Sequence, residues 1–271
     1  MNLKKIILYR EPAEPKINIS YLADFLRNMF LIDVETRDSV FKEFTNEQIK
    51  NLSKIRVIDP KKVFHSYDSN DEEIEFERKI CQNSSVMDTT TKIENAQKIS
   101  DVLMYDGFEL QKNLRYLNTN DKVLHVIITN RLTCTYDERD FRYHARTVIC
   151  ANPAIISTSG AIEAPAKPRE YYFEMMKMKS QGLGIESVKE KYKGVVLDYH
   201  DERLTKILEG FVLQIVFYHI TGEPFCEDLK CKINNAHWQK DLLFSQLEID
   251  ELCQKHKENL LNFITDVKSM T

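Results

Sequence analysis

The chain has no marked excess of either charge. Lysine and arginine number 38 against 42 aspartates and glutamates, a net charge of −4, and the basic residues are scattered rather than blocked. Binders of polyanions carry a basic excess or stripe, so nucleic acid is not an expected partner. No apolar run approaches the roughly 20 residues that span a bilayer, and no membrane association is expected. The start carries a basic pair, Lys4-Lys5, but its apolar run is too short for a signal peptide. Residues 4–10 are expected to form a first strand, and the expected location is the cytoplasm. Internal repeats and long low-complexity segments are absent. So are a GxGxxG turn, a Walker loop and a nucleophile elbow, which leaves nucleotide-binding and serine-hydrolase readings without support.

What is present suits a globular protein. With 42% apolar residues in 271, the chain can form one large domain, or a main domain with a small appendage. Residues 19–30 have helical spacing, with Leu22, Phe25, Leu26 and Phe30 on one face and Ser20 as a candidate cap. Residues 31–35 then read as a short strand. A strand–helix–strand opening predicts two parallel strands with a crossover helix. A short helix is expected over 46–54, an acidic loop over 66–73, and helices over 89–103 and 108–117. The β-branched run at 122–130 predicts a buried strand. Further strands are expected at 145–150 and 154–157, broken at Asn152-Pro153. An extended loop is expected over 161–168 and a short helix over 171–178, its Met175, Met176 and Met178 serving packing. Residues 201–220 form the strongest helix. Its apolar residues spread round nearly every face, as in a buried central helix. Gly222 suits the left-handed cap, and Pro224 blocks continuation. An amphipathic helix is expected over 249–267.

Six cysteines fall into two classes. Cys81, Cys134 and Cys150 are isolated and read as packed free thiols. Cys226 and Cys231 form a Cys-x4-Cys pair, and Cys253 and His256 a Cys-x2-His pair. Two close pairs of soft ligands joined by a loop match the two edges of a zinc tetrahedron. Residues i and i+3 at a helix start face the same way, which suits Cys253 and His256. A structural zinc held by these four is therefore expected. In a reducing compartment a disulfide between Cys226 and Cys231 would be unusual.

The same tail carries a resemblance. His219-x2-Gly222-x3-Cys226-x4-Cys231 resembles the archaemetzincin signature, HExxHxxGxxxC followed by x4-C-x-M and, further on, CxxC. Ile233 stands where that family has Met, and the last pair is Cys253-x2-His256 in place of CxxC. The first His and the Glu of HExxH fall on Ile215 and Val216. In that family two histidines one helical turn apart hold the catalytic zinc, and the Glu is the general base. Isoleucine and valine can do neither job. The detailed match covers about 40 residues of the C-terminal part, and the chain looks like an archaeal family of metallopeptidase-like proteins related to archaemetzincins. The resemblance implies an α+β, zincin-like (metzincin-like) domain over residues 1–222, with a mixed sheet and a long central helix. A small zinc-stapled subdomain over residues 223–271 would follow.

Other histidines have bland readings beside the functional one. His219 is a candidate ligand or catalytic residue, with His144, His200 and His237 as candidate partners; no spacing joins them, and a hydrogen-bonded core histidine is the simpler reading. His200 lies in an acidic stretch that suits a solvated helix start. Trp238, the single tryptophan, is expected to pack the zinc loop onto the main body. The turn at 136–140 reads as solvated. Three functions stay open at this level. One is a zinc-stapled relative without HExxH catalysis that binds a peptide or protein partner. Another is a metallopeptidase with a rearranged site. The third is a zinc-knuckle interaction module. One structural zinc is expected and a second is not.

Overall fold

A computed structural model describes residues 3–11, 16–63, 68–82 and 103–269. In chain order the strands are β1 (Lys5–Arg10), β2 (Asp33–Asp38), β3 (Met104–Asp106), β4 (Val123–Thr129), β5 (Leu132–Asp137), β6 (Arg142–Arg146), β7 (Val148–Ile149) and β8 (Ala154–Ser157). They build two sheets. The larger has the order β2-β1-β4-β8-β7, and the smaller β3-β5-β6. In the larger sheet β2, β1, β4 and β8 run parallel, and the edge strand β7 is antiparallel to β8. This is a mixed α+β architecture.

The opening unit is the expected crossover. The helix Ile19–Phe30 links β1 to β2, which pair from Lys5 against Asp33 to Arg10 against Asp38. Its cap is Asn18, not Ser20: the Asn18 side chain accepts from the Tyr21 amide. β4 is mostly apolar, interrupted by His125 and ended by Thr129, because both faces of the sheet are covered. Leu124, Val126 and Ile128 face one cluster with Ile6 and Leu8, while Ile127 faces another with Ile7 and Tyr9.

The central helix, Leu204–Thr221, forms the first cluster with the sheet. Every residue from Ile207 to Phe217 is buried. By length and composition alone it would pass as a bilayer-crossing helix, but 67% of it is buried inside the protein, as in a core helix. Gly222 ends it at φ 82°, a conformation that costs glycine little, and its amide reaches the Tyr218 carbonyl at 2.8 Å. Residues beyond it share the same core. Cys231, Ile233, Leu242 and Phe263 pack with Leu22, Leu26 and Phe30, and the Phe30 ring lies 6.1 Å from Phe217 and 5.8 Å from Phe263.

Several local expectations differ from the structure. Asp71, Glu72 and Glu73 open a helix, Asp71–Gln82, where a loop was expected; acidic residues there complement the helix dipole. Residues 66 and 67 of that stretch, and all of 89–103 but Leu103, lie outside the described residues. A six-residue helix, Thr158–Glu163, replaces the start of the extended loop, capped by the Ser157 hydroxyl on the Gly160 amide. The charged turn expected at 136–140 joins the antiparallel strands β5 and β6, and the strand expected at 145–150 is divided between β6 and β7. The last helix runs Gln254–Ser269, and a π-helical segment, Phe244–Ile249, precedes it. Trp238 is 41% exposed and does not pack the loop down. That work falls to Gln239, wholly buried, whose amide donates to the Ile162 carbonyl and accepts from the Leu197 amide.

A buried ion network joins the two sheets. Arg131, just before β5, pairs with Glu11 at the end of β1 and reaches Glu77 at 3.2 Å. Glu77 also receives Arg56 at 2.5 Å and the Tyr105 hydroxyl at 2.9 Å. The Arg131 guanidinium lies 4.1 Å from the Phe41 ring. Arg131→Met leaves two buried carboxylates short of a partner, and removing one member of a buried pair costs about 3–5 kcal/mol. Urea unfolding should show a midpoint lowered accordingly. A midpoint equal to the wild type would remove this network from the determinants of the fold.

Candidate metal centre

The end of the central helix delivers the first ligand pair. After Gly222 the chain turns, and Cys226 and Cys231 close a compact loop. The Cys226 amide donates to the Ile233 carbonyl at 3.0 Å, and the Cys231 amide to the Asp228 carbonyl at 3.0 Å. The Cys226 carbonyl accepts from the Asn235 amide at 3.0 Å and from the Asn234 side chain at 3.1 Å. The second pair sits at the start of the last helix. Cys253 immediately precedes it, His256 lies in its first turn, and the His256 amide donates to the Cys253 carbonyl at 3.1 Å.

Folding brings these four together. Their ligand atoms all lie within 4.8 Å of one another. Sulfur to sulfur, Cys226 and Cys253 are 3.8 Å apart, and the Cys231 sulfur is 3.7 Å from His256 Nδ1. Bonds of about 2.3 Å to sulfur and about 2.0–2.1 Å to nitrogen give a zinc tetrahedron edges of about 3.8 Å between sulfurs and about 3.6 Å between sulfur and nitrogen. Both distances fit. The Cys253 sulfur lies closer to His256 Nδ1, at 3.1 Å.

The surroundings suit a structural site. Cys231 and His256 are buried and Cys253 is partly exposed. The Phe217 ring stands edge-on to the His256 ring, 5.1 Å between centroids, which fixes the imidazole plane. Burial lowers the His256 pKa, aided by Lys255, and so favours the neutral ligating form. Burial pushes the Cys231 thiol up to about 12 and raises Cys226 as well. A metal must displace those protons, and the three sulfurs become acceptors for one cation. A structural zinc contributes roughly 10–16 kcal/mol of apparent binding energy, which is large for a tail of this size.

Among the described residues, the remaining histidines do not gather into a second centre with one another. His219 is half-buried near the end of the central helix. Burial lowers its pKa, opposed by the Asp121 backbone, and its Nε2 has no hydrogen-bond partner. Among the described residues, His219, His200 and His237 belong to no group of three or more ligating side chains. His144 does, with Asp137 and Asp140 on the β5–β6 hairpin. Asp140 accepts from Arg142 at 2.7 Å and bonds His144 Nε2 at 2.8 Å, while Asp137 holds Arg139 at 2.7 Å. Guanidinium groups thus occupy the carboxylates, which fits the solvated turn expected there. This grouping arises from strand pairing across the hairpin, which the spacing of the residues does not announce. Ile215 and Val216 are 0% exposed within the core beside Val212 and Phe217. Cys81 and Cys134 are buried free thiols, each raised to about 12 by burial.

A zinc held by this quartet would staple the tail, so its removal should loosen the tail first. Chelation of zinc, or Cys231→Ala, is expected to lower the melting temperature and increase amide exchange over residues 253–269, with less effect on β1 and β4. Uniform exchange in loaded and chelated protein would contradict a stapling role.

The chain was compared with known proteins. No curated protein and no solved structure matches it. A family model described as "Probable metallopeptidase family (DUF6775)" matches residues 2–263. That match covers nearly the whole chain, and the Cys/His cluster gives it a metal-binding centre in keeping with the description. The chain therefore belongs to the probable metallopeptidase family (DUF6775).

Proposed function

We propose that this protein is a zincin-like, archaemetzincin-related member of its family that keeps a structural zinc and has lost conventional HExxH catalysis, and that it acts by binding a peptide or protein partner. The observation that carries the reading is the contrast along a single stretch of chain. Cys226, Cys231, Cys253 and His256 converge at tetrahedral spacing. Ile215 and Val216, at the positions that hold the first His and the Glu in archaemetzincins, are apolar and sealed in the core. A buried isoleucine and valine offer neither a ligand nor a base.

Support for the zincin-like fold comes from the mixed sheet with its antiparallel edge strand β7, and from the central helix packed along β4 and β8. A stand-alone zinc knuckle would not need that arrangement. In a reducing compartment such as the cytoplasm the three thiols stay available to the metal. The partner site proposed here is the cleft between the start of the central helix and the segment before it. It has about 560 Å³ of space, walled by Tyr171, Tyr192 and Tyr199 with Lys189 and Arg203 at its edges.

One observation favours the second reading, an active enzyme with a rearranged site: the unpartnered Nε2 of His219. Metal counting on purified protein separates the two. One zinc per chain, lost in Cys253→Ala and unaffected by His219→Ala, with no chelator-sensitive cleavage of peptide substrates, is the expected result. A second metal that survives Cys253→Ala and disappears with His219→Ala would establish the active alternative. No bound zinc at all would remove the quartet from consideration.

A further inference from the structure

Four charged side chains lie behind the quartet. Glu209, on the central helix, is 0% exposed, and Lys232, next to Cys231, is 3% exposed. Lys232 forms ion pairs with both Glu209 and Asp250, the latter three residues before Cys253. Lys206, one turn before Glu209 on the same helix, reaches Glu209 at 2.9 Å and Asp250 at 2.8 Å. The Tyr21 hydroxyl donates to Glu209 at 2.5 Å, and the Lys232 ammonium lies 5.6 Å from the Phe25 ring. The backbone joins in: the Lys232 amide donates to the Glu251 carbonyl at 2.7 Å. Asp250 itself sits at φ 53°, in the left-handed region.

We infer that Lys232, Glu209 and Asp250 form a charge lock that holds the two halves of the Cys/His quartet in ligating register, with Lys232 as its positioning residue. The inference rests on the reading of the quartet as a zinc site. Two lysines against two carboxylates balance in charge, so the group is complete and needs no ion of its own. Its placement is what points to a role. Lys232 follows the first ligand pair, Asp250 precedes the second, and Glu209 belongs to the central helix, buried from Ile207 to Phe217. Lys232 therefore ties both halves to one fixed point. Burying a lysine and a glutamate is a poor way to add stability, since apolar residues of similar volume often do as well or better; setting register is the best-attested use of such pairs. Groups that orient metal ligands from behind typically change affinity by about 10- to 100-fold when removed.

The test is zinc affinity by competition with a chromophoric chelator, together with the cobalt(II) absorption spectrum. Asp250→Asn is the first variant, because asparagine tolerates the left-handed backbone. Glu209→Gln combined with Lys232→Met is the second, because it removes the lock without stranding a buried charge. Lys257→Met, exposed and paired with Glu251, controls for simple loss of positive charge beside the second ligand pair. Zinc affinity is expected to fall about 10- to 100-fold in the first two variants and to stay within about twofold in the control. The cobalt bands should keep their tetrahedral three-sulfur character throughout. A lowered melting temperature with unchanged zinc affinity in Asp250→Asn would overturn the inference, as would an equal loss in the control. Failure of the wild type to bind zinc or cobalt would instead overturn the underlying assignment of the quartet.

Discussion

The central helix sets the terms for everything else. Its apolar residues point in all directions, so water must be excluded from every face. The larger sheet covers one side through Leu124, Val126 and Ile156, and the helix Ile19–Phe30 covers another through Leu22 and Leu26. The last side is left to residues beyond Gly222, and Ile233, Leu242 and Phe263 fill it. A chain that ends its core this way needs its tail held down. The left-handed turn at Gly222 aims the tail back along the helix, and the quartet closes it.

Two kinds of polar interaction serve that core, and they act differently. The Arg131–Glu11–Glu77–Arg56 network sits on the opposite side of the sheet and welds the smaller sheet to the larger one. The Lys232–Glu209–Asp250 group lies on the central-helix side, behind the metal ligands. Each is nearly or fully balanced in charge, as buried ions must be. The quartet differs from both, because its sulfurs repel one another once ionised and only a cation can reconcile them. Phe217 shows how closely metal centre and core are joined: one ring contacts both Phe30 and His256.

Much of this was legible along the chain. The helix Ile19–Phe30, the strand β4, the central helix and the Gly222 stop follow from periodicity and backbone preference, which act over a few residues. The clustering of Cys226, Cys231, Cys253 and His256 was legible because cysteine and histidine pairs at short spacing have few other uses. Reading failed where the cause was distant. The strand expected at 145–150 is divided, because Ala145 pairs with Cys134 in the smaller sheet while Ile149 pairs with Ile155 in the larger one. Trp238 drew attention by rarity, yet the neighbouring Gln239 makes the anchoring hydrogen bonds, and nothing in the sequence distinguishes it.

The sequence by itself determined the local elements, the two close Cys/His pairs and the apolar character of Ile215 and Val216, because each depends on residue type and short spacing. Only the tertiary structure decided which distant groups meet. It joined Cys226 to Cys253 across 27 positions and Glu209 to Lys232 across 23, and it left His219 apart from His144, His200 and His237. The physical reason is that such contacts depend on how sheet and helices pack, and packing is a property of the whole core rather than of any segment.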